Sequence, residues 1–151
     1  MKILNEWEIS KWAYYKCKDL KDKRILEEKY WSIINNSRWA YWYCRDVKDR
    51  EEVWKKIAKS DDAYDYCKDV KDREEVRSKI TDSEWLYMYC KNIKDRKNVW
   101  EKIVDSQWVY HYCRDVKDRE EMWSKITDNV YARWYYRDVK DRPELRKYIK
   151  E

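Results

Sequence analysis

The sequence repeats itself every 23 residues over most of its length, and this period restricts the possible folds more than any other feature. Residues 43–52 are identical to residues 112–121, and cysteine recurs at the same place in the intervening repeats. Periods of roughly 20 to 50 residues are typical of proteins built from stacked supersecondary units. We therefore predict a capping segment of residues 1–9 followed by six repeats, which span residues 10–36, 37–59, 60–82, 83–105, 106–128 and 129–151. The apolar residues Ile3, Leu4 and Trp7 of the capping segment are expected to cover the open face of the stack.

Each repeat carries signals for two short helices. The first is predicted to begin at the Ser or Asn that opens the repeat, because these residues are good N-caps, and to run from about Arg38 to Val47 in the second repeat. The second is predicted to begin at Asp49, with Glu52 at the spacing of a capping box. The same aspartate recurs as Asp22, Asp72, Asp95, Asp118 and Asp141. The first repeat has four extra residues near positions 33–36, which predicts one more turn in its second helix.

Apolar side chains share one side of each predicted helix. On the first helix of the second repeat they are Trp39, Ala40, Tyr43, Cys44 and Val47. Helices of this length are not stable alone in water, so their burial must come from stacking on neighbouring repeats. The chain also lacks glycine, on which hairpin turns and phosphate-binding loops depend. We therefore predict an all-α fold, an α-solenoid of six two-helix repeats that forms a single domain.

The most regular stretch, residues 40–50, reads Ala-Tyr-Trp-Tyr-Cys-Arg-Asp-Val-Lys-Asp-Arg. It resembles tandem short helical repeats, of pattern A-Y-x-Y-C-x-D-V-x-D-R, in poorly characterised bacterial and phage proteins. In its pairing of helices the chain also resembles the broad α-solenoid class that includes tetratricopeptide and HEAT repeats, although their signature residues do not occur at matching positions. The resemblance covers nearly the whole chain, and it implies the fold without implying an activity.

The five cysteines and the single histidine do not form a catalytic or metal-binding motif. Cysteines of neighbouring repeats should lie about 10 Å apart, farther than the roughly 7 Å that a disulfide allows. His111 and Cys113 are two residues apart and therefore point to opposite sides of a helix. We predict buried free thiols, no metal, no cofactor, no small-molecule substrate and no enzymatic activity.

The charge and the apolar runs of the chain restrict its surroundings. The net charge is +5, from 36 basic and 31 acidic residues without a long block of either sign. Residues 1–9 lack the apolar run of a signal peptide, and no stretch approaches the roughly 18 apolar residues of a membrane span. We therefore expect no membrane segment and, by default, a cytoplasmic location.

Tyrosines recur on the first helix, each followed four residues later by a base. We call them the ladder tyrosines, and their pairs are Tyr14 with Lys18, Tyr41 with Arg45, Tyr64 with Lys68, Tyr87 with Lys91 and Tyr110 with Arg114. Residues spaced i,i+4 share a helix face, and aromatic rings combined with cations are used by proteins that bind single-stranded nucleic acid. The same pattern also suits rings wedged between stacked helices. The modest net charge favours this packing interpretation.

Positions that vary between repeats are the best candidates for contact with a partner. One set, the Trp42 positions, includes Trp42, Met88, His111 and Trp134. Another, the Trp54 positions, includes Trp54, Arg77, Trp100 and Trp123. Exposed Trp and Arg often dominate binding energy, although the Trp54 positions suit a second core layer equally well. We predict a scaffold that binds a protein, a peptide or a second copy of itself. Binding of single-stranded nucleic acid through the ladder is the alternative.

Overall fold

The computed structural model describes residues 4–20 and 24–149, and their side chains except those of residues 24–27. Every regular element in this part of the chain is an α-helix. None of the described helices has the length and apolar character needed to cross a bilayer. The chain divides into two compact units, Met1–Ile80 and Thr81–Glu151, and the division falls near the end of the predicted third repeat.

The first unit contains α1 (Glu6–Asp19), α2 (Arg24–Trp31), α3 (Ser37–Asp46), α4 (Glu51–Trp54), α5 (Ser60–Asp69) and α6 (Glu74–Arg77). The second contains α7 (Ser83–Asn92), α8 (Lys97–Trp100), α9 (Ser106–Asp115), α10 (Glu120–Trp123), α11 (Asn129–Asp138) and α12 (Pro143–Arg146). Within each unit, the first helix of one repeat packs on the first helix of the next, and each second helix packs on its own first helix. The prediction of an all-helical repeat is confirmed.

The predicted capping box of the second helices is wrong. Helix α4 is a single turn whose N-cap is Arg50, and no side chain caps it. The N-caps of α6, α8, α10 and α12 are likewise arginines without a capping side chain. Asp49 has another role: it accepts a hydrogen bond of 2.7 Å from the Tyr66 hydroxyl of the following repeat. The equivalent Asp22 lies outside the described residues.

The serines that open the repeats are also not N-caps. Helix α3 has Asn36 as its N-cap, and Ser37 is the first helical residue. The Ser37 hydroxyl instead accepts hydrogen bonds from the backbone N–H groups of Ala58 and Lys59, at 3.0 and 3.2 Å. Ser10, Ser83 and Ser106 make the same kind of bond. Each serine therefore satisfies backbone donors in the chain that leads to the next repeat.

Lysine side chains connect a repeat to the repeat before it. Lys79 donates from Nζ to the carbonyl oxygens of Lys55 and Ile57, at the carboxyl end of the preceding second helix. Lys125 does the same for Glu101 and Ile103. A cation at this end of a helix satisfies carbonyl groups that have no partner within the helix.

The beginning of the chain departs from the predicted capping segment. Helix α1 starts at Glu6 behind a complete capping box of Asn5 and Glu8, so it is one turn longer than predicted at its amino end. Trp7, on this extra turn, packs against Trp39 with ring centroids 5.4 Å apart. Leu4 is exposed rather than covering the stack. Ile3, assigned the same role, lies outside the described residues.

The extra turn predicted for the first repeat is present, but it lies earlier than predicted. Helix α2 has eight residues, whereas α4 has four. Ile34 is fully buried, as is its equivalent Ile57. The additional residues therefore lie within the helix, before Ile34, and not at positions 33–36.

Cysteines and tyrosines fill the space between the helices. All five cysteines are buried and free. Burial raises the pKa of the Cys44 thiol to about 12. A second set of tyrosines, the inner tyrosines, is fully buried and consists of Tyr43, Tyr66, Tyr89, Tyr112 and Tyr135.

Candidate functional site

The Trp54 positions belong to the core. Trp54, Arg77, Trp100 and Trp123 are at most 8% exposed, so the core interpretation of this set holds, and these side chains are not available to a partner. The guanidinium of Arg73, from the following repeat, lies 5.4 Å from the ring centroid of Trp54. Arg119 and Arg142 cover Trp100 and Trp123 in the same way. Arg77 lacks a ring and pairs with Asp72 at 2.6 Å.

The arginine over each Trp is fixed by an inner tyrosine and an aspartate. Arg73 donates from Nε to the Tyr66 hydroxyl at 2.6 Å and from Nη2 to Asp49 at 2.5 Å. The Tyr66 hydroxyl donates to the other Asp49 oxygen, which closes a three-membered network between neighbouring repeats. The network recurs around Tyr112 and Tyr135. Repetition and burial identify it as a structural joint between repeats.

The ladder tyrosines are also internal, as the packing interpretation requires. None is more than 5% exposed. The Tyr41 hydroxyl donates to Asp69 of the next repeat at 2.6 Å, and burial together with this bond raises the pKa of Tyr41 to about 12. Tyr14, Tyr87 and Tyr110 make the equivalent bond. These rings cannot stack on nucleic-acid bases while the repeats remain packed.

The bases of the ladder are largely neutralised by neighbouring acids. Arg45 lies over the Tyr41 ring and binds both carboxylate oxygens of Asp46, at 2.6 and 3.1 Å. Arg114 binds Asp115 in the same way, and Lys91 adds a contact of 3.0 Å. The Arg114 guanidinium holds the pKa of Asp115 well below its usual range. Lys18 lies near the ring of Tyr14, and Lys68 near that of Tyr64. Charges paired in this way offer little attraction to phosphate.

Two residues of the following repeat cover the ladder tyrosines Tyr14, Tyr87 and Tyr110. They lie three apart on a first helix, one at a Trp42 position and one at the preceding Trp39 position. Over Tyr87 they are Trp108 and His111, with centroid distances of 5.5 and 5.9 Å. Over Tyr110 they are Tyr131 and Trp134. The outer faces of these covering rings are partly accessible, and Trp12, Tyr15 and Tyr136 are exposed elsewhere on the chain.

In the second unit, residues at the Trp39 and Trp42 positions form a row across three neighbouring helices. We call this row the aromatic surface, and it consists of Trp85, Met88, Trp108, His111, Tyr131 and Trp134. All are half-buried except Trp134, which is 39% exposed. Desolvation, with Arg114 nearby, lowers the pKa of His111, so its imidazole is uncharged near neutral pH. Three of the predicted contact residues, Met88, His111 and Trp134, thus lie together on one accessible surface.

The first unit has a shorter counterpart that ends at the third repeat. Trp42 is half-buried, while Trp39 is only 2% exposed and has Trp7 packed against it. In the third repeat the two covering positions hold Asp62 and Asp65, and both bind Arg38. The Arg38 guanidinium lies 5.9 Å from the centroid of the Tyr41 ring. Aromatic side chains cover the equivalent rings of Tyr14, Tyr87 and Tyr110. An ion cluster therefore replaces the aromatic pair at this repeat.

One edge of the aromatic surface is acidic. Asp105 and Asp128 are the N-caps of α9 and α11, and each lies one turn before an aromatic residue of the surface. Their carboxylates accept backbone N–H groups of Gln107 and Val130. In the part of the chain described, no cation pairs with Asp105, Asp128 or the exposed Glu84. At the opposite edge Arg114 and its equivalents are already paired with aspartates. One edge of the aromatic surface therefore carries carboxylates without a cationic partner among the described residues, and this edge is negative.

Sequence reasoning missed half of this surface. It placed Trp39 on the apolar arc, and by extension its equivalents Trp85, Trp108 and Tyr131 in the core. The useful signal was the i,i+3 spacing between the Trp39 and Trp42 positions, which puts both on one helix face.

No other site competes with this surface among the described residues. They contain no group of three or more His, Cys, Asp or Glu side chains placed to hold a metal ion. A shallow hollow of about 370 Å³ lies at the last repeat, lined by Arg133, Tyr136, Arg146 and Ile149. The chain matches no protein-family model, and no curated protein or solved structure is significantly similar to it. The resemblance to short bacterial and phage repeats therefore stays a prediction.

Proposed function

We propose that this chain is a non-enzymatic scaffold that binds a protein or peptide through the aromatic surface of its second unit. The observation that carries the proposal is the row of half-exposed Trp, Met, His and Tyr side chains on α7, α9 and α11. Contiguous accessible apolar area of this kind is uncommon on a chain without a partner and marks interaction surfaces. Trp and Tyr are also the residue types that contribute most binding energy per side chain.

The packing beneath the surface suits it to binding. Trp108 and His111 rest on Tyr87, whose hydroxyl is tied to Asp115 at 2.6 Å. Trp134 rests on Tyr110, which is tied to Asp138. Rings held in this way lose little conformational entropy when a partner covers them, so more of the contact energy goes into affinity.

We further propose that the six repeats form one α-solenoid. The support is that the same inter-repeat bonds occur in both units: ladder tyrosine to aspartate, serine to backbone, and lysine to carbonyl. A chain that repeats its joints in this way presents neighbouring helices at regular spacing, which is how solenoids build extended binding surfaces.

Site-specific photo-crosslinking followed by titration tests the scaffold proposal. A photoreactive residue at Met88 should capture a protein partner, whereas one at Glu121, an exposed residue on the short helix α10, should not. The identified partner, once purified, should bind the unmodified chain and lose roughly tenfold or more in affinity to the Trp108→Ala variant. Equal capture at both positions, or unchanged affinity, contradicts the proposal.

Labelled random single-stranded DNA and RNA provide the competing test. Fluorescence anisotropy at two salt concentrations should show no tight binding, because the ladder rings are buried and their bases are paired. Tight binding that weakens steeply with salt, combined with no partner captured at Met88, would favour nucleic acid instead.

A further inference from the structure

The first unit contains an internal contact that shows how an aromatic side chain sits on a Trp39 position. Trp7, on the extra turn of α1, packs edge-on against Trp39 with an interplanar angle of 63°. Trp7, Tyr14, Tyr15 and Trp42 together surround Trp39, which is 2% exposed, although Trp7 itself is 46% exposed. Lys11, one turn after Trp7, lies 4.9 Å from the centroid of the Trp7 ring. Trp39 is thus covered by a helical turn that carries a Trp and, four residues later, a base.

Trp108 is the equivalent of Trp39 in the second unit, but among the described residues no counterpart of Trp7 packs on it. Trp108 rests on Tyr87 and beside His111, just as Trp39 rests on Tyr14 and beside Trp42. Helix α7 starts at Ser83, however, so it lacks the extra turn that places Trp7 over Trp39. Trp108 is consequently half-buried rather than fully covered. The same holds for Tyr131, because α9 also starts at its serine.

The charge around the uncovered position differs between the units. The N-caps beside the covering positions of the first unit are Asn36 and Lys59, neither of which is acidic. In the second unit they are Asp82, Asp105 and Asp128, and Asp105 and Asp128 have no cationic partner among the described residues. A base carried next to an aromatic side chain would therefore find a complementary carboxylate at the second unit.

From these observations we infer the chemistry of the partner, and this inference rests on the proposed function. The aromatic surface binds a basic peptide segment that inserts a Trp or Tyr ring against Trp108 and places a Lys or Arg beside Asp105 and Asp128. The ring occupies the place that Trp7 takes on Trp39. The base supplies the positive charge that this edge lacks.

Three matched peptides test the inference. The probe is a fluorescein-labelled 12-residue peptide of Ala and Gln with a single Trp and a Lys four residues later. The second peptide has Glu in place of that Lys, and the third has Ala in place of the Trp. We expect the first to bind best, the Glu peptide to bind roughly tenfold more weakly, and the Ala peptide not to bind. Affinity of the first should fall as salt is raised.

Variants of the protein locate the contacts without disturbing the fold. The Asp105→Asn, Asp128→Asn double variant removes the charge and keeps the N-caps, because Asn caps a helix as well as Asp does. It should bind the Lys and Glu peptides equally. Trp108→Ala should lose both, while Trp12→Ala, an equivalent and exposed residue of the first unit, should change neither. Circular dichroism confirms that each variant is folded.

The possible results separate this inference from the scaffold proposal. If the Glu peptide binds as well as the Lys peptide, or if the double Asn variant leaves the preference intact, the basic-partner inference is overturned. If none of the peptides binds, the inference also fails. A purified partner captured at Met88 and lost on Trp108→Ala would still support the scaffold in either case.

Discussion

Replacing Trp54 by Ala tests whether the Trp54 positions are joints between repeats or surface residues. Trp54 is 6% exposed and lies under the Arg73 guanidinium, which Tyr66 and Asp49 hold in place. The substitution removes the ring and leaves a cavity beneath that network. It also removes the indole N–H, but this group makes no hydrogen bond within the described residues, so the loss can be assigned to packing.

The size of the effect follows from the buried area. A buried Trp removes about 200 Å² from water, and at about 25 cal/mol per Å² this gives roughly 5 kcal/mol as an upper bound. Measured substitutions of buried Phe or Trp by Ala cost about 3–5 kcal/mol. An exposed side chain would give a change within about 0.5 kcal/mol. We therefore expect Trp54→Ala to lower the free energy of unfolding by about 3–5 kcal/mol.

Urea denaturation followed by far-ultraviolet circular dichroism is the suitable assay, since the helix signal does not depend on the Trp that is removed. Hydrogen exchange at the amides of α3 and α4 would show that the loss falls in the first unit. Trp134→Ala, whose side chain is 39% exposed, is the control and should cost much less. A loss below about 1 kcal/mol for Trp54→Ala would refute the burial of Trp54 between repeats, because the cavity left by a buried Trp destabilises a fold by more than this.

Three further predictions concern single groups. Tyr66→Phe should lower the free energy of unfolding by about 1–2 kcal/mol in urea, because Asp49 and Arg73 each lose a bond to the buried hydroxyl; an effect near zero would contradict this network. The depressed pKa of Asp115 stabilises the fold above the unfolded pKa of about 4, and this stability is lost as pH falls below it. Acid titration of Asp115→Asn should accordingly show a shallower decline than the unmodified chain, and an identical decline would count against the assignment. Cys44 and its equivalents should react with a thiol reagent at pH 8 far more slowly in the native chain than in urea, since burial raises the Cys44 pKa to about 12; equal rates would show that the thiols are accessible.

The repeat and its helices could be predicted from sequence because both depend on periodic patterns. A 23-residue period and apolar arcs of helical spacing identify stacked helix pairs without knowledge of any single contact. The burial of the cysteines followed from the same period. These features are fixed by the chain's local geometry.

Roles of individual polar residues could not be predicted in this way. Ser37 and Asp49 sit where a cap is expected, but their side chains bond to atoms 17 to 22 residues further along the chain. Local spacing cannot reveal such partners, because they depend on how one repeat lies against the next. For the same reason the sequence left the Trp54 positions open between core and surface.

Only half of the aromatic surface could be predicted from sequence, because the exposure of a side chain depends on the residues packed around it. His111 and Trp134 were identified as variable, but Trp108 resembled Trp39, which is buried. The difference arises from one extra helical turn that carries Trp7. A residue's own position in the repeat did not contain this information.

The bonds between repeats also bear on how such a chain can change in length. Tyr41, Tyr87 and Tyr110 each reach an aspartate 28 residues ahead, whereas Tyr14 reaches one 32 residues ahead. The difference of four residues is close to one turn of α-helix, and it is accommodated in α2 without loss of the bond. A guest segment added to a second helix should thus be tolerated when it is a whole turn, while an insertion of two residues would rotate the following repeat away from its partners. Because one additional turn in a second helix leaves the tyrosine–aspartate bond intact, the length of a repeat can evolve or be engineered in steps of one turn.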